Sequence, residues 1–271
     1  MSMSLISTAE LATQVGSRGL RIFDVRADLA DPAEGRRRYD SGHLPDAVFV
    51  DLEADLTGRS GPGRHPLPRP EEFSAVLRRV GVGPADLVVA YDDSGGAWAS
   101  RLWWMLRSMG HPNVKVLDGG FPKWEAEGRP VTRAVPRPTP GSFPTVREWR
   151  GVVDRSQVSN GASTLIDARV SERYRGEHEP IDRLAGHIPG AVNFPYPGNL
   201  GPDGTFLDRA ALADRFADIG ASPIVYCGSG VSACHNILAL HLAGRDDALL
   251  YEGSWSDWSR QQDAPVATGD E

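Results

Sequence analysis

Short apolar, β-branched runs alternate along this chain with longer stretches of helical period. The runs Leu20–Val25, Leu87–Tyr91 and Val114–Leu117 read as strands, as do Thr164–Ala168, Ile224–Cys227 and Ala248–Tyr251. Apolar residues at three- and four-residue spacing predict helices over Pro70–Val80 and Ala99–Met109. The first of these opens on a proline, which suits an initial helical turn. Short apolar strands alternating with helices predict an α/β fold of mainly parallel sheets with helices on both faces. In such sheets ligands settle beyond the carboxyl ends of the strands, here the residues just after Tyr91 and Tyr226.

The pattern also repeats with a long period. Ile22-Phe23-Asp24-Val25-Arg26 returns as Leu165-Ile166-Asp167-Ala168-Arg169, and Gly42-His43-Leu44-Pro45 returns as Gly186-His187-Ile188-Pro189. The run ending at Tyr91-Asp92 matches Tyr226-Cys227, and Leu117 to Trp124 matches Tyr251 to Trp258. Four ordered matches at offsets of 134–144 residues imply a duplicated domain and not a solenoid. Arg129–Pro144 carries five prolines, too many for a helix. The expected division is a first domain at 5–130, a Pro-rich linker at 131–145 and a second domain at 146–271.

Composition narrows the function classes. The 271 residues are 40% hydrophobic with a net charge of -7, which fits a globular chain and argues against nucleic-acid or anionic-membrane partners. Two cysteines make neither a disulfide framework nor a multi-cysteine zinc site, so no metal or cofactor is expected. The chain start lacks a basic segment followed by a long apolar stretch, and no run approaches the ~18–20 apolar residues of a spanning helix. A cytoplasmic protein is expected.

Cys227 sits where the chemistry should be. The strand ends there, Gly228-Ser229-Gly230 turns the chain, and apolar periodicity from Val231 onward starts a helix. A thiol at the mouth of such a loop faces unpaired backbone N–H groups and the positive end of a helix dipole, which stabilise an anion on sulfur. The repeat places Asp92 opposite Cys227, so the first domain lacks a nucleophile. Cys234, on the predicted helix, is expected to be packed in the core. His43 and His187, at equivalent repeat positions, read as architectural. Asp24 and Asp167 do too, with Asp167 a candidate brace for the Cys227 loop. The tryptophans read as packing residues, with Trp255 a candidate for the pocket mouth.

At this loop and at the repeat the chain resembles the two-domain sulfurtransferases of the rhodanese superfamily. The resemblance rests on Asp24-Val25-Arg26, Gly42-His43-Leu44-Pro45, Gly83 to Asp92, Arg101 to Gly110, Leu117 to Gly120, Arg173-Tyr174-Arg175-Gly176, Gly186 to Ala191, Cys227 to Ala233 and Gly253-Ser254-Trp255. It covers essentially the whole chain. It implies two tandem rhodanese-like domains, only the second catalytic. It also implies that the Cys227 thiolate takes a sulfur from a small donor as a persulfide, held by the N–H groups of Gly228, Ser229, Gly230, Val231, Ser232 and Ala233. Cyanide, a small thiol or a reduced thioredoxin-like protein would then accept the sulfur.

The loop Cys-Gly-Ser-Gly-Val resembles those of 3-mercaptopyruvate sulfurtransferases. Thiosulfate-using relatives have two basic residues after the cysteine, and here Gly228 and Ser229 bring no charge. The same resemblance implies a proton relay of Ser229, His65 and an acidic residue that falls on Glu53, where the family usually has Asp at a slightly different spacing. It implies that Arg173 binds the donor carboxylate. A second arginine of the animal enzymes is missing at its motif position, and Arg183 is the expected substitute. That departure leaves thiosulfate open as the donor. A phosphatase on a related fold would need Arg six residues after the cysteine, and position 233 is Ala. A catalytically silent sulfur-binding module is disfavoured by the intact Cys227 loop.

Overall fold

A computed structural model describes residues 4–161 and 163–270. The chain divides into two compact units. The first takes the chain up to Gly58, then Pro68–Arg150 and Pro202–Phe206; the second takes Arg59–Leu67, Gly151–Gly201 and the chain from Leu207 on.

The first unit runs β1 (Leu5–Ile6), α1 (Thr8–Ala12), β2 (Leu20–Asp24), α2 (Glu34–Ser41), β3 (Ala47–Phe49), α3 (Pro70–Arg79), β4 (Leu87–Tyr91), α4 (Ala99–Ser108), β5 (Val114–Leu117) and α5 (Gly120–Ala126). Its strands form one parallel sheet in the order β1-β5-β4-β2-β3. α3 is amphipathic: Phe73, Ser74 and Leu77 face inward, while Glu71 and Glu72 in the first turn and Arg78 and Arg79 in the last complement the helix dipole. From Arg129 to Trp149 the chain has neither helix nor ladder strand, as its prolines foretell, apart from a bridge between Thr132 and His43.

The second unit runs β6 (Val152–Val153), α6 (Arg155–Ser159), β7 (Leu165–Asp167), α7 (Ser171–Tyr174), β8 (Ala191–Asn193), a 3-10 turn (Tyr196–Asn199), α8 (Arg209–Arg215), β9 (Ile224–Tyr226), α9 (Ala233–Leu242), β10 (Leu249–Tyr251) and α10 (Ser254–Trp258). Its parallel sheet has the order β6-β10-β9-β7-β8, which is the first sheet's order strand for strand. α9 is apolar nearly all round and buried along all but one of its residues, as a central helix must be.

The duplication extends to single hydrogen bonds. Arg26 forks onto Asp24 and reaches the Gly42 carbonyl at 2.7 Å, and Arg169 repeats this on Asp167 and Gly186. His43 stacks on Tyr39 and His187 on Tyr174, with ring centroids 3.9 and 3.7 Å apart, and each Nδ1 meets that tyrosine's carbonyl. These paired histidines are buried parts of the scaffold. Trp255 is fully buried, donates to the Leu184 carbonyl and lies under Arg169, so it packs the interior and does not line a pocket mouth.

Candidate active site

Cys227 follows the last residue of the central strand β9 and is 2% exposed. Its carbonyl accepts from the Trp255 N–H at 2.9 Å, and its own N–H donates to the Ser254 Oγ at 3.1 Å. Ser254 is fully buried and held at φ +54°, a left-handed conformation that costs a non-glycine residue about 1 kcal/mol or more. Its hydroxyl in turn donates to the Tyr251 carbonyl. Gly230 stands at φ +78°, and a Cβ there would lie 2.5 Å from the Glu252 carbonyl, so the turn between β9 and α9 requires glycine.

The corresponding loop of the first unit contains its own anion. Asp92 follows β4 as Cys227 follows β9, and its buried carboxylate accepts four backbone N–H bonds at 2.8 Å, from Ser94, Gly96, Trp98 and Ala99. Burial lifts this carboxyl above the usual aspartate range even though all four donors pull the other way. A strand–loop–helix turn of this kind thus aims its amides at a negative charge held at the strand end.

Residues 59–67 pack onto the Cys227 loop and the start of α10. The Arg64 N–H donates to the Ser256 Oγ at 2.9 Å, and the Leu67 N–H to Glu252 at 2.8 Å. Gly63 allows the close approach, since a Cβ there would fall 2.4 Å from the Gly253 carbonyl. His65, 4% exposed, brings its Nδ1 to 2.6 Å from the Ser229 Oγ. Two of the three relay residues therefore meet. Glu53 lies in the first unit, exposed, in a turn where its N–H donates to Asp51.

Arg173, in the last turn of α7, stands beside Gly228. A Cβ on Gly228 would lie 3.4 Å from its Nη1. Glu179 grips the other edge of the same guanidinium, accepting from Nε at 3.1 Å and from Nη2 at 2.7 Å, and Asp182 accepts from Nη2 at 3.1 Å. Burial alone would raise the Glu179 carboxyl, but its bond to Arg173 and two backbone N–H groups hold it below the usual glutamate range. The Arg183 Nη2 reaches towards the Ser259 carbonyl at 3.4 Å. The guanidinium beside Arg173 is Arg64, whose Nη2 would be 3.2 Å from that same Cβ. Nothing in the sequence marks Arg64 as a site residue, since it is one of several arginines in and around a Gly-rich segment and its partner, Asp182, is remote in sequence.

Cys234 is fully buried on α9, with its Sγ 3.4 Å from the Gly230 carbonyl, and neither cysteine is in a disulfide. Among the described residues no helix is long and apolar enough to cross a membrane.

A family model for the rhodanese-like domain matches residues 7–127 and again 154–261. A Pseudomonas aeruginosa protein named "Probable 3-mercaptopyruvate sulfurtransferase" is 43% identical over 99% of both chains. The thiosulfate sulfurtransferase of Rattus norvegicus is 34% identical over 98% of this chain and 94% of its own. Among solved structures, SseA from Escherichia coli, described as a 3-mercaptopyruvate sulfotransferase, superposes with a TM-score of 0.82 at 31% identity. That match covers 94% of this chain and all of SseA.

Proposed function

Because this chain belongs to the rhodanese-like family, we propose that it is a sulfurtransferase with Cys227 as its nucleophile and 3-mercaptopyruvate as its favoured donor. The observation that carries this reading is the pair of equivalent loops. One has a carboxylate enclosed by backbone amides, and the other has a thiol at the same strand end.

The Cys227 thiolate attacks the donor sulfur, and the carbon–sulfur bond breaks with its electron pair going to the pyruvate enolate. The donor's thiol proton ends on the enolate carbon, leaving pyruvate and a Cys227 persulfide anion. The N–H groups of Gly228 to Ala233 hold that anion. Ser229 and His65, 2.6 Å apart, are placed to pass the proton. Glu53 is the acid of this relay by its match in sequence alone. Arg173 takes the donor carboxylate on the guanidinium edge that Glu179 leaves facing Gly228. Cyanide or a thiol, including that of a reduced thioredoxin-like protein, then removes the outer sulfur and restores the thiolate. Such a two-step cycle gives ping-pong kinetics. The non-catalytic domain is 5–130, the linker 131–145 and the catalytic domain 146–271, with residues 59–67 serving the catalytic site. The protein works in the cytoplasm.

Thiosulfate is the second reading. Attack on its outer sulfur expels sulfite and needs no proton, and the arginines near Gly228 suit a dianion as well. Steady-state rates with each donor decide between them. Cys227→Ser should abolish turnover of both, while Arg173→Ala should raise KM for 3-mercaptopyruvate by about 10- to 100-fold. Loss of the proton relay in His65→Ala should lower mercaptopyruvate turnover far more than thiosulfate turnover. Substantial activity in Cys227→Ser would refute the mechanism.

A further inference from the structure

We propose that Arg64 binds the anionic end of the sulfur donor alongside Arg173. The inference rests on the sulfurtransferase reading and adds a donor-binding residue to it.

The geometry is specific about which nitrogen does what. In Arg64, Nη1 is the atom held by Asp182, at 2.5 Å, and Nη2 is the atom that faces Gly228. In Arg173, Nε and Nη2 are held by Glu179 and Asp182, and Nη1 is the nitrogen nearest Gly228. Each guanidinium is thus held by a carboxylate, Arg64 through Nη1 and Arg173 through Nε and Nη2, and each brings a nitrogen that no carboxylate holds, Arg64 Nη2 and Arg173 Nη1, to the residue that follows the nucleophile. Asp182 is shared, with Oδ1 on Arg64 and Oδ2 on Arg173, so one nearly buried carboxylate sets the spacing of both forks.

A guanidinium required only to balance Asp182 would need no second edge at the loop. The backbone of Arg64 is fixed independently of its side chain, through its N–H on Ser256 and the close approach of Gly63 to Gly253. Two guanidinium groups with nitrogens 3.2 and 3.4 Å from one Cβ position at Gly228 suit a carboxylate or a sulfonate-like group, which can accept from both.

Alkylation tests this without any sulfur transfer. Iodoacetate and iodoacetamide react with a thiolate by the same displacement of iodide, but only the first carries a carboxylate. Their rate ratio at Cys227, read by mass spectrometry with Cys227→Ser as the control for Cys234, reports the pull of local cations on a carboxylate. Arg64→Gln should lower this ratio about fivefold and raise KM for 3-mercaptopyruvate about tenfold, with kcat changed less. An unchanged ratio in Arg64→Gln would overturn the proposal. If wild type turns over neither donor while the ratio still responds to Arg64, the sulfurtransferase reading fails and the carboxylate site stands.

Discussion

A carboxylate surrounded by four amides at 2.8 Å, as at Asp92, is held by the backbone more firmly than most surface ion pairs hold their partners. Asp92→Asn turns one oxygen into a donor facing donors. Because buried N–H groups left without acceptors cost about 1–3 kcal/mol each, the variant should lose about 2–4 kcal/mol against chemical denaturation. Unfolding at the wild-type denaturant concentration would show that the loop does not depend on that charge. The repeat made Asp92 visible as the residue standing where the nucleophile should be. Its bonding was not visible, because a turn's backbone dihedrals decide where its amides point. Arg64 was hidden for a related reason: a cation in a glycine-rich stretch carries no period, and Asp182 becomes its neighbour only through the fold.

Among the elements, the start of α10 is the one whose local conformation bears most directly on the cysteine. Ser254 at φ +54° matches Gly120 at φ +57° in the first unit, where glycine adopts the turn without strain. Ser254→Gly should therefore leave stability within about 1 kcal/mol of wild type, since relief of strain offsets the lost hydrogen bonds. Turnover should nevertheless drop several-fold, as the Cys227 N–H loses its acceptor. A full rate in this variant would remove Ser254 from the site. The segment after α7 adds a pH dependence. Glu179 titrates below its unfolded value, so the stability it contributes is present above the ordinary glutamate range and is lost as pH falls through its depressed value. Glu179→Gln should be less stable than wild type at neutral pH, and the gap should close on acidification in paired denaturation curves. The longer elements were legible to within a residue or two: α3 ends at Arg79 where periodicity suggested Val80, and β9 ends at Tyr226, one residue before Cys227. β6 and α7, of two and four residues, are too short for any hydrophobic period to mark them.

For the whole molecule, the repeat in sequence became two sheets of identical strand order. The resemblance alone paired His65 with Ser229; no pattern of hydropathy announced that residues 59–67, from within the first repeat, group with the second unit. That grouping depends on glycines permitting close approach and on single hydrogen bonds, which leave no trace in hydropathy. Two equivalent loops with one thiol between them also set a stoichiometry. Excess donor should load a single sulfane sulfur per chain, on the peptide bearing Cys227, because Cys234 is buried against the Gly230 carbonyl. Sulfur recovered on the Cys234 peptide in Cys227→Ser would contradict this.

The carboxylate in the first loop also gives the protein an internal reference for calorimetry. That loop holds its charge on the same atoms in every state of the catalytic cycle, whereas in the second the negative charge moves from the Cys227 sulfur to the outer sulfur on loading and back again on transfer. A charge better accommodated by the folded loop than by the unfolded chain raises the melting temperature of the half that holds it. Heating loaded and unloaded protein side by side should therefore move one part of the unfolding endotherm and leave the other in place.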